Sequence, residues 1–146
     1  MATVDKEVIV NAPIEKIFSY ISDPSNWPEF WPSLMKIEDV QSLPKGGYSA
    51  KYEYKMAGVR FKGTGQYTEF VPNNWIVVQT KGGIQSTITC TFRSIEGKTR
   101  VTLTIEYKVP ILLLGKLAEF VILKMNDREA DLVMFNLQIR FMMASH

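Results

Sequence analysis

Apolar and polar residues alternate with a period of two through most of this chain, and then the alternation stops. The sharpest stretch is 48–56, where Tyr48, Ala50, Tyr52, Tyr54 and Met56 alternate with Ser49, Lys51, Glu53 and Lys55. That pattern predicts a strand with one buried and one wet side. Val59, Phe61, Gly63, Gly65 and Tyr67 continue it against Arg60, Lys62, Thr64 and Gln66. Ile84, Ser86, Ile88, Cys90 and Phe92 form another such set, as do Val101, Leu103, Ile105 and Tyr107. Runs at 4–10, 34–42 and 75–80 read as three further strands. Turn residues at 44–47, 57–58, 72–74, 81–83 and 96–98 separate successive strands by only a few positions, which predicts an antiparallel meander. Two segments follow a helical period instead. Ile14, Ile17, Phe18 and Ile21 predict a short helix over 13–22, with Asn11 as a candidate cap and Pro13 in the first turn. Asp23-Pro24 ends it, and 25–31 predicts a second short helical piece broken by Pro28. From Lys116 to Met143 there is neither Gly nor Pro, so the chain closes on one helix about 40 Å long at 1.5 Å per residue. About seven strands, two short helices after the first, and a long final helix make the fold class α+β.

The last helix is not a simple amphipath. Val121, Met125, Leu132, Phe135 and Ile139 share one face, with Arg128 on it and Glu129 and Asn136 at its edge. Leu123, Ala130, Met134, Leu137 and Phe141 form a second apolar row nearly opposite. One row meets the sheet. The other meets a ligand, a partner or water. Gly63 and Gly65, on an inner strand face, either let the sheet bend or open space above it.

The length of 146 residues fits one domain, 1–146, able to bury a core without disulfides. With 17 Lys and Arg against 15 Asp and Glu, a net charge of +2, the chain lacks the basic asymmetry of a nucleic-acid binder. The single cysteine, Cys90, can form no internal bridge. The N-terminal residues lack a signal-peptide pattern, and the longest apolar run, 109–114, is far below the ~20 residues that span a bilayer. A soluble cytoplasmic protein is the expectation. The 109–115 connection is apolar enough to pack under the helix start, to act as a lid, or to touch a membrane surface.

Val8-Ile9-Val10-Asn11-Ala12-Pro13-Ile14-Glu15-Lys16-Ile17-Phe18, followed by Ser22-Asp23-Pro24 and Trp27-Pro28, resembles the opening of the START-like (SRPBCC) superfamily, which includes polyketide cyclase/dehydratase-like, coenzyme-Q-binding-like and plant-allergen-like proteins. Gly63-Thr64-Gly65, Glu106-Tyr107-Lys108-Val109-Pro110, Leu114-Gly115 and Asn136-Leu137-Gln138 extend the similarity along the whole chain. The resemblance implies a helix-grip fold, a curved antiparallel sheet around the C-terminal helix with an apolar cavity between them. It implies a hydrophobic small-molecule ligand such as a lipid, isoprenoid, sterol or polyketide, without naming one. It also places Met134, Leu137 and Phe141 against the sheet, which leaves Phe135 and Ile139 for a second subunit. The candidate cavity lining is Trp31, Tyr52, Tyr54, Phe61, Tyr67, Trp75, Cys90, Phe92, Tyr107 and Met125.

Catalytic chemistry finds few carriers. The lone histidine, His146, is a tail residue. No His, Cys, Asp and Glu cluster has metal-ligand spacing, and no nucleophile elbow or phosphate-binding glycine loop is present, so neither metal nor cofactor is expected. Alternation turns Cys90 inward, where it is an inert buried thiol unless a neighbouring base lowers its pKa. Arg128 and Glu129 are the candidate catalytic pair. Arg128 would hold a ligand carboxylate or enolate and Glu129 would move a proton; alternatively both belong to ion pairs on a solvated helix face. Three readings follow. The first is a carrier of an apolar ligand in a cavity of several hundred Å³. The second is a cyclase, aromatase or dehydratase using the same cavity. The third is a protein- or membrane-interaction module, with a homodimer through the leftover helix row or peripheral membrane contact.

Overall fold

The computed structural model describes residues 2–110 and 115–144. The roles considered for the connection at 111–114 and for His146 concern residues outside those described. Strand β1 (Ala2–Val10) leads into helix α1 (Ile14–Ser22), a 3₁₀ turn (Pro24–Glu29) and six strands: β2 (Leu34–Ser42), β3 (Tyr48–Met56), β4 (Val59–Val71), β5 (Trp75–Lys81), β6 (Ser86–Ile95) and β7 (Lys98–Tyr107). Helix α2 (Lys116–Ala144) follows. The seven strands form one curved antiparallel sheet in the order β1-β7-β6-β5-β4-β3-β2. The meander therefore holds from β2 to β7, and β1 closes the far edge, with Val8 opposite Val101. This is the helix-grip arrangement.

Local chemistry accounts for the turns. Ala57 and Gly58 both have positive φ (51° and 81°), as do Glu96 and Gly97 (49° and 81°). Met56 pairs with Val59 and Ile95 with Lys98. Each loop is thus a two-residue type I′ turn, whose twist matches that of the strands it joins. Helix α1 starts differently from the expectation: Pro13 occupies the cap position and no side chain caps the helix, so Asn11 does not serve. Asp23 caps the next turn by accepting from the Ser25 backbone N–H at 3.0 Å.

The buried faces meet between sheet and helices. The main core joins Val10, Ile17, Phe18 and Ile21 to Ile76, Cys90, Phe92, Val101 and Leu103 of the sheet and to Val133, Met134, Leu137 and Phe141 of α2. A smaller core under the start of α2 contains Val4, Met56, Phe61, Ile84, Tyr107, Ile122 and Ala130. The α2 row that meets the sheet is thus the one carrying Met134, Leu137 and Phe141. Val121, Met125, Leu132 and Phe135 are each about half exposed. Lys6 of β1 fixes the helix from outside, with its Nζ 3.1 Å from both Asp127 and Asp131.

The two inner-face glycines have separate reasons. A Cβ on Gly63 would lie 2.1 Å from the Lys81 carbonyl oxygen and 2.7 Å from the Tyr52 hydroxyl. Only glycine permits that close approach of the 81–83 turn. A Cβ on Gly65 would meet only the side chains of Thr80 and Val78, at an ordinary 3.7 Å.

Candidate functional site

Between the two cores lies a cavity of about 120 Å³. Its wall draws Tyr52, Tyr67, Val78, Ile88, Trp27 and Trp31 from one core and Val4, Met56, Ile84, Tyr107 and Ala130 from the other. It is smaller than the several hundred Å³ expected from the sequence, because aromatic rings project into it: Trp27, Trp31, Tyr48, Tyr52, Tyr54, Tyr67 and Tyr107 all line it. A cavity of this order still accepts a ligand about the size of benzene. Gly65 lies on its wall, so the space that this glycine leaves opens into the cavity.

The 3₁₀ turn and the chain after it build one end. Trp27 and Trp31 lie one turn apart and stack, with ring centroids 5.7 Å apart and planes within 10°. Trp27 is fixed by donating its indole N–H to the Ile21 carbonyl at 2.7 Å. Trp31 donates to Glu129 Oε1 at 3.0 Å. Glu129 is the hub of this end. Its Oε1 also accepts from the Tyr54 hydroxyl, and its Oε2 accepts from the Ser33 backbone N–H at 3.1 Å and from the Ser33 hydroxyl. Four donors therefore meet the carboxylate, which has about four lone-pair sites. Burial first, then the Glu129 charge and hydrogen bond, push the Tyr54 phenol well above its ordinary pKa, so it stays a neutral donor. One turn earlier on the same helix face, Asn126 lines the cavity and donates to the Tyr107 hydroxyl at 2.9 Å. Burial also raises the Tyr107 pKa.

Elsewhere the polar atoms of the wall are occupied by the protein itself. The Tyr52 hydroxyl donates to the Ile84 carbonyl at 3.0 Å and accepts from its N–H at 2.8 Å. Tyr67 donates to the Ser22 carbonyl at 2.6 Å and, through burial above all, titrates far above its ordinary range. Thr80 donates to the Ile84 carbonyl at 2.6 Å. No buried side-chain nitrogen or oxygen among the described residues lacks a partner.

The structure brings together Trp31, Tyr52, Tyr54, Tyr67, Tyr107 and Glu129 and separates the other candidates from them. Phe61, Cys90 and Phe92 are buried in the cores away from this cavity. Phe92 packs edge-on against Phe18 at 5.1 Å. Burial pushes the Cys90 thiol up to about 12, the direction of an inert thiol. Trp75 and Met125 are 39% and 49% exposed, outside the cavity. Trp75 starts β5 and its indole donates outward to Glu69, while Met125 belongs to the α2 row that faces away from the sheet. Arg128 is exposed as well. One helical step of about 100° separates it from Glu129, and only Glu129 turns inward. The pairing of the two as a cavity acid and anchor is therefore corrected. Sequence reasoning missed Asn126 and Ser33. Asn126 lies three residues before Glu129, a same-face spacing that identifies it once Glu129 is known to point inward. Ser33 reaches Glu129 only through the folding of the segment after the 3₁₀ turn, and no local pattern signals it.

Among the described residues, no helix is long and apolar enough to cross a membrane. No curated protein matches the sequence. Solved structures do match in shape. A protein of Thermus thermophilus superposes with a TM-score of 0.83 at 19% identity over 99% of both chains. A START superfamily protein from Mycobacterium smegmatis gives 0.81 at 15% identity over 99% of both. The Zhui aromatase/cyclase from a Streptomyces species gives 0.78 at 12% identity, over 99% of this chain and 95% of that one. At these identities the likeness shows the fold. The family described as "Polyketide cyclase / dehydrase and lipid transport" matches residues 1–137. The chain belongs to that family and has its START-like, hydrophobic-ligand-binding fold.

Proposed function

We propose that this protein binds and carries a hydrophobic small molecule in the cavity between the sheet and α2. The observation that carries this reading is the wall itself: aromatic and aliphatic side chains around open space, with the hydroxyls of Tyr52, Tyr54 and Tyr67 tied back to the protein. A well-packed core has few voids larger than a water molecule, and a pocket of this composition suits an apolar guest. The family description, which pairs cyclase chemistry with lipid transport, supports the same class of ligand. The test is native mass spectrometry of freshly purified protein, then organic extraction and mass analysis of what is released, with Gly65→Leu as the blocked control. A lipid- or polyketide-like mass on the wild type that is absent from Gly65→Leu supports carriage. Equal occupancy of the two proteins places the ligand elsewhere and sinks the reading.

A cyclase- or dehydratase-type enzyme is the second reading, favoured by the convergence of Glu129, Tyr54, Asn126 and Tyr107 at one end of the cavity. It ranks second because Glu129 already accepts four hydrogen bonds, which leaves its carboxylate little capacity to take a substrate proton. The exposed α2 row of Val121, Met125, Leu132 and Phe135 is the surface we assign to self-association.

A further inference from the structure

Glu129 supplies the one carboxyl group among the described lining residues, and no Lys, Arg or His contributes to the wall. We infer that the cavity selects an uncharged hydrophobe with a hydrogen-bond donor at its Glu129 end, a phenol or alcohol, and excludes the carboxylate of the same skeleton. This rests on the carrier reading above.

Two features of the wall lead to this polarity. The first is where its protons go. Trp27, Trp31, Tyr52, Tyr54, Tyr67 and Thr80 line the cavity and each already donates to a carbonyl or to Glu129, whereas the Tyr107 hydroxyl accepts from Asn126 and donates to none of these. Tyr54 gives its proton to Glu129, so its oxygen has only acceptor capacity left. A ligand O–H placed at this end meets that acceptor. A ligand carboxylate has no proton to offer it. The second feature is charge. The Glu129 carboxylate is held in place by donors from three residues. A second anion in the same apolar space is repelled more strongly than it would be in water, and it gives up its hydration with no cation to replace it. Arg128, the residue that would otherwise have supplied that cation, is on the exposed face of α2.

A matched ligand set tests the inference: toluene, p-cresol and p-toluate, titrated at neutral pH by two-dimensional NMR, with the shifted amides reporting the site. The expected result is that p-cresol binds more tightly than p-toluate by on the order of tenfold or more, with shifts centred on 31–34, 52–56 and 126–130. Glu129→Gln, checked for a native spectrum, narrows that ratio. The wild-type comparison stands by itself if the variant does not fold. Equal or tighter binding of p-toluate, or a ratio unchanged in folded Glu129→Gln, overturns the selectivity inference and leaves the carrier reading intact. Failure of all three compounds to shift the cavity amides overturns both.

Discussion

Replacing Glu129 by alanine removes the common acceptor of Trp31, Ser33 and Tyr54. The size of the effect depends on which orphaned donors water can reach. Ser33 is half-buried, and water can take over its two bonds at small net cost. Trp31 is 7% exposed, and Tyr54 is sufficiently buried for burial to be the largest cause of its raised pKa. Two buried donors losing a charged acceptor, at about 1.5 kcal/mol each, give a destabilisation of about 3 kcal/mol. For a chain of this size that lowers Tm by about 10 °C. Thermal melts followed by circular dichroism measure it, with Asp127→Ala as the control. Asp127 is a 54%-exposed partner of Lys6, which keeps Asp131, so the control shifts Tm by no more than about 2 °C. Tyr54→Phe deletes one of the two buried donors together with its need, and lies between. A Glu129→Ala protein that melts with the control refutes the assignment of this carboxylate as the node joining α2 to the segment after the 3₁₀ turn.

Gly65→Ala is expected to be neutral to mildly stabilising, since its Cβ finds ordinary contacts, whereas Gly63→Ala, facing the Lys81 carbonyl at 2.1 Å, costs about 2 kcal/mol or more in denaturant melts; equal effects contradict the close approach. The buried Cys90 thiol, pushed up to about 12, stays unreactive toward a thiol reagent at neutral pH and reacts once the protein is unfolded; prompt native-state labelling contradicts its placement. Stability falls as pH rises above about 9. Cys90, Tyr20, Tyr54 and Tyr67 all titrate higher in the folded chain than their ordinary 9.0 and 10.0, so the unfolded chain loses those protons first and is favoured by alkali. A Tm flat to pH 11 refutes this. Phe135→Glu, at a 55%-exposed site, leaves Tm within about 2 °C and weakens self-association in sedimentation experiments; an unchanged association state removes α2 as the interface.

The strands were legible because each alternation carries its own evidence. Tyr48 to Met56 separates buried from wet positions within nine residues, and the observed β3 has those bounds. Turn chemistry supplied the connections, as at Ala57-Gly58. The end of β4 was harder to read. Observed β4 runs on to Val71, past a register shift between Tyr67 and Glu69, because a bulge interrupts the period without ending the strand. The sequence offered a bend or open space for both glycines, but the structure shows a third reason at Gly63, the close approach of the 81–83 turn, while a Cβ on Gly65, on the cavity wall, would meet only ordinary side-chain contacts. Sequence spacing alone had no means of dividing them, since the deciding atoms belong to the 81–83 turn.

The last helix shows where local pattern loses its power. A helix with apolar residues on two opposite faces has no unique inward direction, and its rotation is set by what the sheet presents. The similarity of Asn136-Leu137-Gln138 to the family pattern points to the row that is in fact buried, whereas Met125 is placed in the cavity from the opposite row. Arg128 and Glu129 depend on the same rotation. With Leu137 and Val133 packed on the sheet, Glu129 falls on the buried side four residues before Val133, and Arg128 is carried outward. The neighbours then agree with that choice. Asn126 and Ala130 come round to the cavity with Glu129, and Asp127 and Asp131 come round to Lys6 at the edge of β1. A rotation by one residue would bury Arg128 against Trp31, whose indole N–H can only donate, and would turn Glu129 toward solvent. The cavity's polarity is therefore tied to the packing register of α2: the contacts that choose which row meets the sheet also place an acid, rather than a base, at the end of the cavity.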